Sequence, residues 1–388
     1  MKIAMVFDNA IPGGISTIGI NYLTIFSKNK HEVDCFVLGK KDERILEKMR
    51  NISNRVYEHK FSQYVCPDFY WKVCERIWTG KYMFPILYLF FSLLLILLKP
   101  FKARIRKYDI TIAFSGHTND LTFVAKHFVR GAKKIAWLHG SQSGYYLNSI
   151  GFAYLYKRIH NLVVLSNYGD FECDGIKKRF NLNVQRIYNP FISDEKATDS
   201  LEVKKLKSVY GDYLLSVGRL SQDKDPETII KAYSIMKKRF GLTNKLVICG
   251  DGEKRHTLAK MINEFALEND VFLVGNQSKI VNYYMGATLF IHSSPLEGLP
   301  TTLIESLHYG VPIIASDSVP GVREVLDGDK YGMIFKCGDY TELAELTVSL
   351  LKDSKKRESL SKEGKLRAKV FSEENIGLEF NKFIESLE

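Results

Sequence analysis

The sequence predicts an α/β protein made of two doubly wound parallel sheets in tandem. Three observations lead there. Short apolar runs alternate with helical patterns, as βαβ units require. The alternation breaks at a polar, charged stretch, Ser193 to Ser208, and then restarts. The chain of 388 residues is 45% apolar and 26% charged, which suffices for two ordinary cores. The same composition excludes a disordered chain, a collagen-like fibre and a multi-span membrane protein.

The elements follow in order. Lys2 to Phe7 reads as a buried first strand, since its apolar run is too short and too soon broken by Asp8 for a signal peptide. A Gly-containing loop, Pro12-Gly13-Gly14, leads into a helical pattern from about Ser16 to Ser27. Glu32–Leu38, Asp109–Phe114, Lys134–Leu138 and Asn161–Leu165 continue the strand series. After the break, strands are expected at Asp212–Gly218, Lys245–Cys249, Val271–Val274, Leu289–His292 and Val311–Ala315. Helical patterns at Pro226–Arg239, Lys254–Glu268, Thr301–Tyr309 and Tyr340–Lys352 separate or follow them. The expected domains are 1–190 and 191–370, with a last helix in 371–388 packing back on the first.

Charge is uneven. The net charge is +11, yet residues 1–190 hold 28 basic and 14 acidic side chains, and the remainder is slightly acidic. One half is therefore expected to meet an anionic surface, either nucleic acid or the cytoplasmic leaflet of a membrane. No nucleic-acid module is recognisable, so nucleic acid is not expected as a partner. The six cysteines, Cys35, Cys66, Cys74, Cys173, Cys249 and Cys337, form no Cys-x-x-Cys. They read as free thiols in a reducing compartment, and a cytoplasmic protein is expected.

In doubly wound sheets, ligands bind outside the carboxyl ends of the strands. The loop after Leu289–His292 runs Ser293-Ser-Pro-Leu-Glu297-Gly298-Leu299-Pro300-Thr301-Thr302-Leu-Ile-Glu305. Pro300 suits the first turn of a helix, and the amides near Thr301 and Thr302 can bind an anion such as phosphate. Carboxylates beside such a site can accept hydrogen bonds from sugar hydroxyls. At the head of the same domain, Arg219 and Lys224 leave a strand end and form a plausible diphosphate clamp. Gly250-Asp251-Gly252 reads as a tight turn. Taken singly, each of these residues fits an ordinary surface loop. Together they fit a ligand that carries both phosphate and sugar.

This segment resembles the retaining glycosyltransferases of the GT-B fold, in the large family 4 that serves capsule, lipopolysaccharide and lipid-linked oligosaccharide synthesis. The matching residues are Gly218-Arg219 with Lys224, Gly250-Asp251-Gly252, Val274-Gly275, and Glu297-Gly-Leu-Pro followed by Glu305. The first domain matches more loosely, through Pro12-Gly13-Gly14 and Trp137-Leu-His139-Gly140. The resemblance implies two Rossmann-like domains facing across a cleft. It implies that Arg219 and Lys224 grip the donor diphosphate and that Glu305 accepts the ribose hydroxyls. Glu297 would sit by the transferred sugar, with Gly298, Leu299, Pro300 and Thr301 lining it. Gly275 and Asn276 would meet the base, Gly14 the diphosphate, and His139 the donor sugar. The catalytic set is then Glu297, His139, Arg219 and Lys224.

Departure of a nucleoside diphosphate places charge on its leaving oxygens, and the two cations are aimed there. No metal is expected, because the two cations replace it, and no other cofactor, because the nucleotide sugar, of uridine type, is a substrate. Asp223-Lys-Asp225 and Asp327-Gly-Asp329 have the Asp-x-Asp spacing of metal-dependent enzymes, but both sit in turns, where Asp is common.

Met83 to Leu98 is sixteen residues without a charge, followed by Lys99, Lys102, Arg104, Arg106 and Lys107. A spanning helix needs roughly 17–25. Three readings stand: a helix buried on the first sheet, an in-plane membrane helix with a basic collar, and a span. A combination of the first two fits best, because burial alone leaves the cations unexplained. Phe84, Leu87, Phe90, Phe91, Leu94, Lys99, Lys102 and Arg104 are the expected membrane contacts. The expected enzyme therefore sits on the inner face of the cell membrane and acts on a membrane-anchored glycan. Two alternatives are weaker. A sugar-nucleotide epimerase needs no such apolar run, and a non-catalytic membrane-associated protein needs none of the four charged site residues. A dehydrogenase is opposed by the missing Gly-x-Gly-x-x-Gly.

Overall fold

The computed structural model describes residues 1–59, 86, 90, 107–139, 151–193, 198–319 and 321–387. They form two compact units, Met1–Pro190 with Glu373–Glu388, and Phe191–Ser372. Each unit is built on one wholly parallel sheet, so the α/β class and the two doubly wound sheets expected from the sequence are what the chain adopts.

The first unit holds seven strands: β1 (Lys2–Phe7), β2 (Glu32–Val37), β3 (Arg55–Glu58), β4 (Lys107–Ala113), β5 (Arg130–Leu138), β6 (Asn161–Val164) and β7 (Asn183–Arg186). Their order across the sheet is β3-β2-β1-β4-β5-β6-β7. Every residue of β1 after Lys2 is buried, as in a central parallel strand covered on both faces. The helices α1 (Gly14–Lys28), α2 (Glu43–Ile52), α3 (Thr118–Ala125), α4 (Gly151–Ile159) and α5 (Asn167–Phe180) alternate with the strands. Asp42 starts α2 by accepting a hydrogen bond from the Arg44 amide at 3.0 Å.

The C-terminal segment completes this unit. Phe380, buried, stacks its ring 4.8 Å from Phe26 and 5.8 Å from Trp137, which lies 4.4 Å from Tyr22. Truncating one such aromatic to Ala costs about 3–5 kcal/mol. Lys28 and Glu373 close the contact at 2.7 Å.

The second unit holds α6 (Ser200–Tyr210), β8 (Tyr213–Val217), α7 (Pro226–Phe240), β9 (Lys245–Cys249), α8 (Arg255–Glu264), β10 (Val271–Gly275), α9 (Ile280–Gly286), β11 (Ala287–His292), α10 (Thr301–Tyr309), β12 (Ile313–Ser316), α11 (Gly321–Leu326), β13 (Met333–Phe335), α12 (Tyr340–Lys352) and α13 (Ser354–Ala368). The sheet order is β10-β9-β8-β11-β12-β13. Its core sets Leu214, Ile248, Ile291 and Ile314 of the strands against Ile229, Tyr233, Leu343 and Leu360 of the helices. Pro226 opens α7 and Gly241, at φ 64°, closes it. The chain then ends as α14 (Glu373–Ser386), which belongs to the first unit.

The linker stretch to Ser208 carries a weak helical pattern in the sequence, and it is helical from Ser200 because the Asp199 carboxylate caps the Leu201 and Glu202 amides and Leu206 is buried. One local expectation changes. The helix expected to reach Glu268 stops at Glu264, and Ala266 turns left-handed at φ 55°.

Of the expected membrane residues, Phe84, Leu87, Phe91, Leu94, Lys99, Lys102 and Arg104 lie outside the described residues. Ile86 and Phe90 are described: both are helical and exposed, at 69% and 61%. Among the described residues, no helix is long and apolar enough to cross a membrane.

Candidate active site

Strand order sets the site before any side chain does. In the second unit the chain winds outward one way from β8 through β9 to β10, then the other way from β11 through β12 to β13. The reversal lies between β8 and β11, and loops leaving two such strands part there to open a crevice. Lys224 follows β8 and Glu297 follows β11. They are 73 residues apart in sequence, and their side chains meet at 2.6 Å.

The backbone beneath Lys224 is held tightly. A turn of 3₁₀ helix spans Gln222–Lys224, and Asp225 behind it takes a left-handed conformation, φ 45° and ψ 53°. A non-glycine residue there stores about 1–3 kcal/mol of strain, a frequent mark of a functional loop. Three contacts offset it. The Asp225 carboxylate accepts from the Thr228 hydroxyl at 2.6 Å, and the buried Ser293 hydroxyl bridges the carbonyls of Lys224 and Asp225 at 2.9 and 2.7 Å. Ser293 follows β11, so the two switch-point loops are tied by their backbones as well as by the ion pair.

Glu297 is enclosed, with its side chain 12% exposed. Burial works against its charge. The buried His292 ring, 3.3 Å from the same Oε1, and Lys224 outweigh that penalty and hold the carboxyl down at about 2. Glu297 is therefore ionised across the physiological range. Arg219 is exposed, and among the described residues it makes no ion pair. A strongly basic donor group is thus available one short loop from Lys224.

Glycines let three strand-end loops stack. A Cβ on Gly250, at φ 138°, would lie 1.8 Å from the Gly218 carbonyl oxygen, and one on Gly252 would lie 2.3 Å from that of Leu220. The Gly250 amide donates to the Gly275 carbonyl at 2.9 Å. Gly250-Asp251-Gly252 is therefore a packing device between the loops after β8, β9 and β10, which brings Gly275 and the exposed Asn276 to the same edge. Gly321 does the same beyond β12: its Cβ would meet the Gly298 carbonyl oxygen at 2.6 Å, and its amide donates to the Glu297 carbonyl at 3.0 Å.

Gly298, Leu299, Pro300 and Thr301 carry the chain from Glu297 into α10, where Pro300 is the N-cap and no acidic residue occupies the first turn. Glu305 lies near the middle of α10. Burial pushes its carboxyl up to about 7, with the Tyr284 hydroxyl pulling the other way. Tyr284, fully buried, fixes that edge by stacking 5.7 Å from Tyr309 and reaching the Thr302 carbonyl at 3.4 Å.

The carboxylates of the Asp223-Lys-Asp225 pair have separate partners. Asp223 is held by the Ser221 hydroxyl at 2.5 Å and Asp225 by Thr228. Among the described residues, no group of three or more His, Cys, Asp or Glu could hold a metal ion.

The remaining expected residues belong to the first unit. Gly14 opens α1 on an exposed loop, and a Cβ there would meet nothing within 4 Å. His139 directly follows β5, with Nε2 2.7 Å from the Phe114 carbonyl. Burial lowers its pKa to about 4, so the ring is neutral and Nε2–H is the donor.

Residues 199–367, nearly the whole second unit, match the family described as glycosyl transferases group 1. The whole chain also superposes on the crystal structure of Anabaena HepE in complex with UDP, with a TM-score of 0.76 over 100% of both chains at 18% identity. The chain thus has the GT-B fold, and its second unit is similar to that glycosyltransferase family. Two curated relatives come from Campylobacter jejuni. One is N-acetylgalactosamine-N,N'-diacetylbacillosaminyl-diphospho-undecaprenol 4-alpha-N-acetylgalactosaminyltransferase, 27% identical over 58% of this chain and 60% of its own length. The other is a GalNAc-alpha-(1->4)-GalNAc-alpha-(1->3)-diNAcBac-PP-undecaprenol alpha-1,4-N-acetyl-D-galactosaminyltransferase, 31% identical over 53% of this chain and 56% of its own length. The matched stretches thus span under two thirds of these relatives.

Four supporting residues carry no signal in the motif itself: His292, Ser293, Tyr284 and Gly321. His292 and Ser293 stand directly before the Glu297 loop, where a polar pair at a buried strand end is the available clue. Tyr284 and Gly321 reach the site only through tertiary packing.

Proposed function

We propose that the chain is a retaining glycosyltransferase that moves a sugar from a nucleoside-diphosphate sugar to a membrane-anchored glycan in cell-surface polysaccharide synthesis. The observation that carries the reading is the Lys224–Glu297 pair at the switch point of the second sheet. It sets a cation for a leaving phosphate beside a carboxylate for sugar hydroxyls. Arg219 adds a second cation, and the charge that develops on the diphosphate falls between the two. With that charge on side chains, the transfer proceeds without a bound metal. Glu305 accepts the ribose hydroxyls, and Gly275 and Asn276 face the base. In the first unit, Gly14 leaves room for the diphosphate and His139 presents a neutral ring to the donor sugar.

A uridine donor is favoured because the fold is shared with a protein crystallised with UDP. A membrane-anchored acceptor is favoured by the names of the Campylobacter relatives, which specify undecaprenol-diphosphate glycans. The basic first half and the apolar run Met83–Leu98 supply the means of reaching a membrane surface. The protein then works on the inner face of the cell membrane.

The test is donor turnover. The protein is incubated with a panel of nucleotide sugars in the presence of a chelator, and release of nucleoside diphosphate is followed. One donor turned over by the wild type and lost in Lys224→Ala and Glu297→Ala is the expected result. Failure of every donor to bind overturns the reading. Cosedimentation with anionic vesicles, weakened at high salt, is the companion expectation. Vesicle binding that does not occur at low salt removes the membrane part alone.

A further inference from the structure

We propose that His292 is a positioning residue that holds Glu297 in place when Lys224 turns to the donor, so that one carboxylate oxygen exchanges one cation for another as the site fills. The inference rests on the reading above, in which Lys224 engages a diphosphate.

The geometry points to an exchange because both partners address a single atom. Glu297 Oε1 lies 2.6 Å from Lys224 Nζ and 3.3 Å from His292 Nε2. The Lys224 contact is a short, charge-assisted hydrogen bond. The His292 nitrogen is buried, in a residue 6% exposed, and has no hydrogen-bond partner of its own. A buried imidazole nitrogen without a partner is costly unless another state of the protein uses it. Lys224 stands on a flexible stem, 25% exposed, at the surface side of Glu297, whereas His292 is the last residue of β11 and is fixed in the sheet.

The two states follow. In the empty site Lys224 pairs with Glu297, and a second full cation beneath the carboxylate is not needed. When Lys224 swings to a diphosphate, Glu297 would remain as a buried, uncompensated carboxylate, which is strongly unfavourable. His292 then takes a proton and donates to Oε1, so the carboxylate stays ionised and oriented toward the sugar. The other charged groups around the pair do not offer this service. Asp223, 3.9 Å from Lys224, is an anion held by Ser221, and the Asp225 carboxylate is held by Thr228. Arg219 is exposed after β8, and the first turn of α10 holds no acidic residue.

The experiment measures UDP binding to the full chain by titration calorimetry in two buffers of different ionisation heat, near neutral pH. The wild type is expected to take up protons on binding UDP. Glu297→Gln is expected to bind UDP without uptake, because it keeps His292 but removes the carboxylate it serves. His292→Gln, which retains an N–H donor in place, should bind without uptake and keep most of its turnover. His292→Phe should lose about tenfold in kcat with donor KM little changed, the scale of one charge-assisted hydrogen bond.

UDP binding without proton uptake in the wild type overturns the inference, as does uptake that survives in Glu297→Gln. Equal kcat in the Gln and Phe variants overturns the positioning role. If the Phe variant does not fold, the Glu297→Gln comparison still decides. If UDP does not bind the wild type at all, the donor-site reading fails and this inference goes with it.

Discussion

The two sheets have the same kind of switch point and put different chemistry there. In the first unit it lies between β1 and β4, where Asp8 follows β1 and His117 follows β4. Asp8 accepts from the Asn119 amide at 2.8 Å and the Asn9 amide at 3.0 Å, lies 3.1 Å from His117 Nδ1, and has its own amide bound by Ser115. Asp120 accepts from the amides of Gly116 and His117 at 2.9 and 2.8 Å. Apart from the Asn119 side-chain oxygen, which is buried without a hydrogen-bond partner, these polar groups are engaged with one another and with backbone. In the second unit Lys224 and the His292 ring crowd one carboxylate oxygen, one buried nitrogen has no hydrogen-bond partner, and Arg219 is left exposed. A closed network holds loops still. An over-supplied one is built to rearrange when a charged ligand arrives. The difference supports the proposal that the second unit takes the anionic part of the donor.

Four measurements break or sharpen that contrast. The largest effect is on folding. Gly250→Ala places a Cβ at 1.8 Å from a carbonyl oxygen at a backbone angle that favours glycine. It should cost about 3 kcal/mol or more by urea denaturation. The matching change in the first unit, Gly14→Ala, meets open space and should alter stability by less than about 1 kcal/mol, while weakening donor binding. Equal destabilisation by both would end the contrast between a packing glycine and a ligand-facing one.

Next comes turnover. Lys224→Ala should lower kcat by about 10²–10³-fold, the usual scale for removing one group that stabilises a leaving anion. Asn9→Ala, in the closed network of the first unit, should act mainly on stability, by about 1 kcal/mol, and be read in the melting temperature. A rate loss as large as that of Lys224→Ala would place chemistry in the first switch point instead.

A smaller effect concerns pH in the second unit. Burial raises the Glu305 carboxyl to about 7 in the fold, above its unfolded value. A raised acid binds its proton more tightly when folded, so it weakens the fold as pH rises from about 4.3 toward 7. Glu305→Gln should therefore gain stability relative to wild type across that window, by about 2 kcal/mol at most after solvent screening. Donor KM should move the opposite way, improving in the wild type as Glu305 ionises near pH 7 and showing no such step in the variant. A flat difference in stability would show that the side chain is better solvated than its surroundings imply.

The smallest effect is in the first unit. Burial lowers the His139 pKa to about 4, against a hydrogen bond to the Phe114 carbonyl that favours the charged form. A lowered base is protonated more readily when unfolded, so it removes stability as pH falls from about 6.5 to 4. His139→Gln should lessen that acid sensitivity by about 1 kcal/mol and is read by urea denaturation at pH 7 and pH 5. No change between the two pH values would mean that the ring is not held neutral.

Much of this molecule was legible from local pattern. The strand series and its restart are visible because buried parallel strands are short continuous apolar runs, and β1 and β8 are read from Lys2–Phe7 and Asp212–Gly218, the latter one residue longer at each end than the strand itself. The helix at Pro226 is announced by its proline, and the one at Thr301 by Pro300. The Glu297 loop stands out because Gly, Pro and a carboxylate collect after an apolar strand. Less legible was the helix Ser200–Tyr210, whose composition is polar and whose anchor, Leu206, is a single buried residue. Gly250 and Gly252 read as a turn, and the structure shows why they are glycines: another loop's carbonyl lies against each.

By itself, then, the sequence determined which segments are strands and helices, where the series divides, and which loops carry charge, because propensity and periodicity act over a few neighbouring residues. Only the tertiary structure decided that β8 lies beside β11, that Lys224 and His292 meet the same oxygen of Glu297, and that Asp8 and His139 are tied into networks of their own. Strand order comes from packing between residues far apart in the chain. No local pattern encodes which two strand ends will stand side by side, and the chemistry of this site depends on that adjacency.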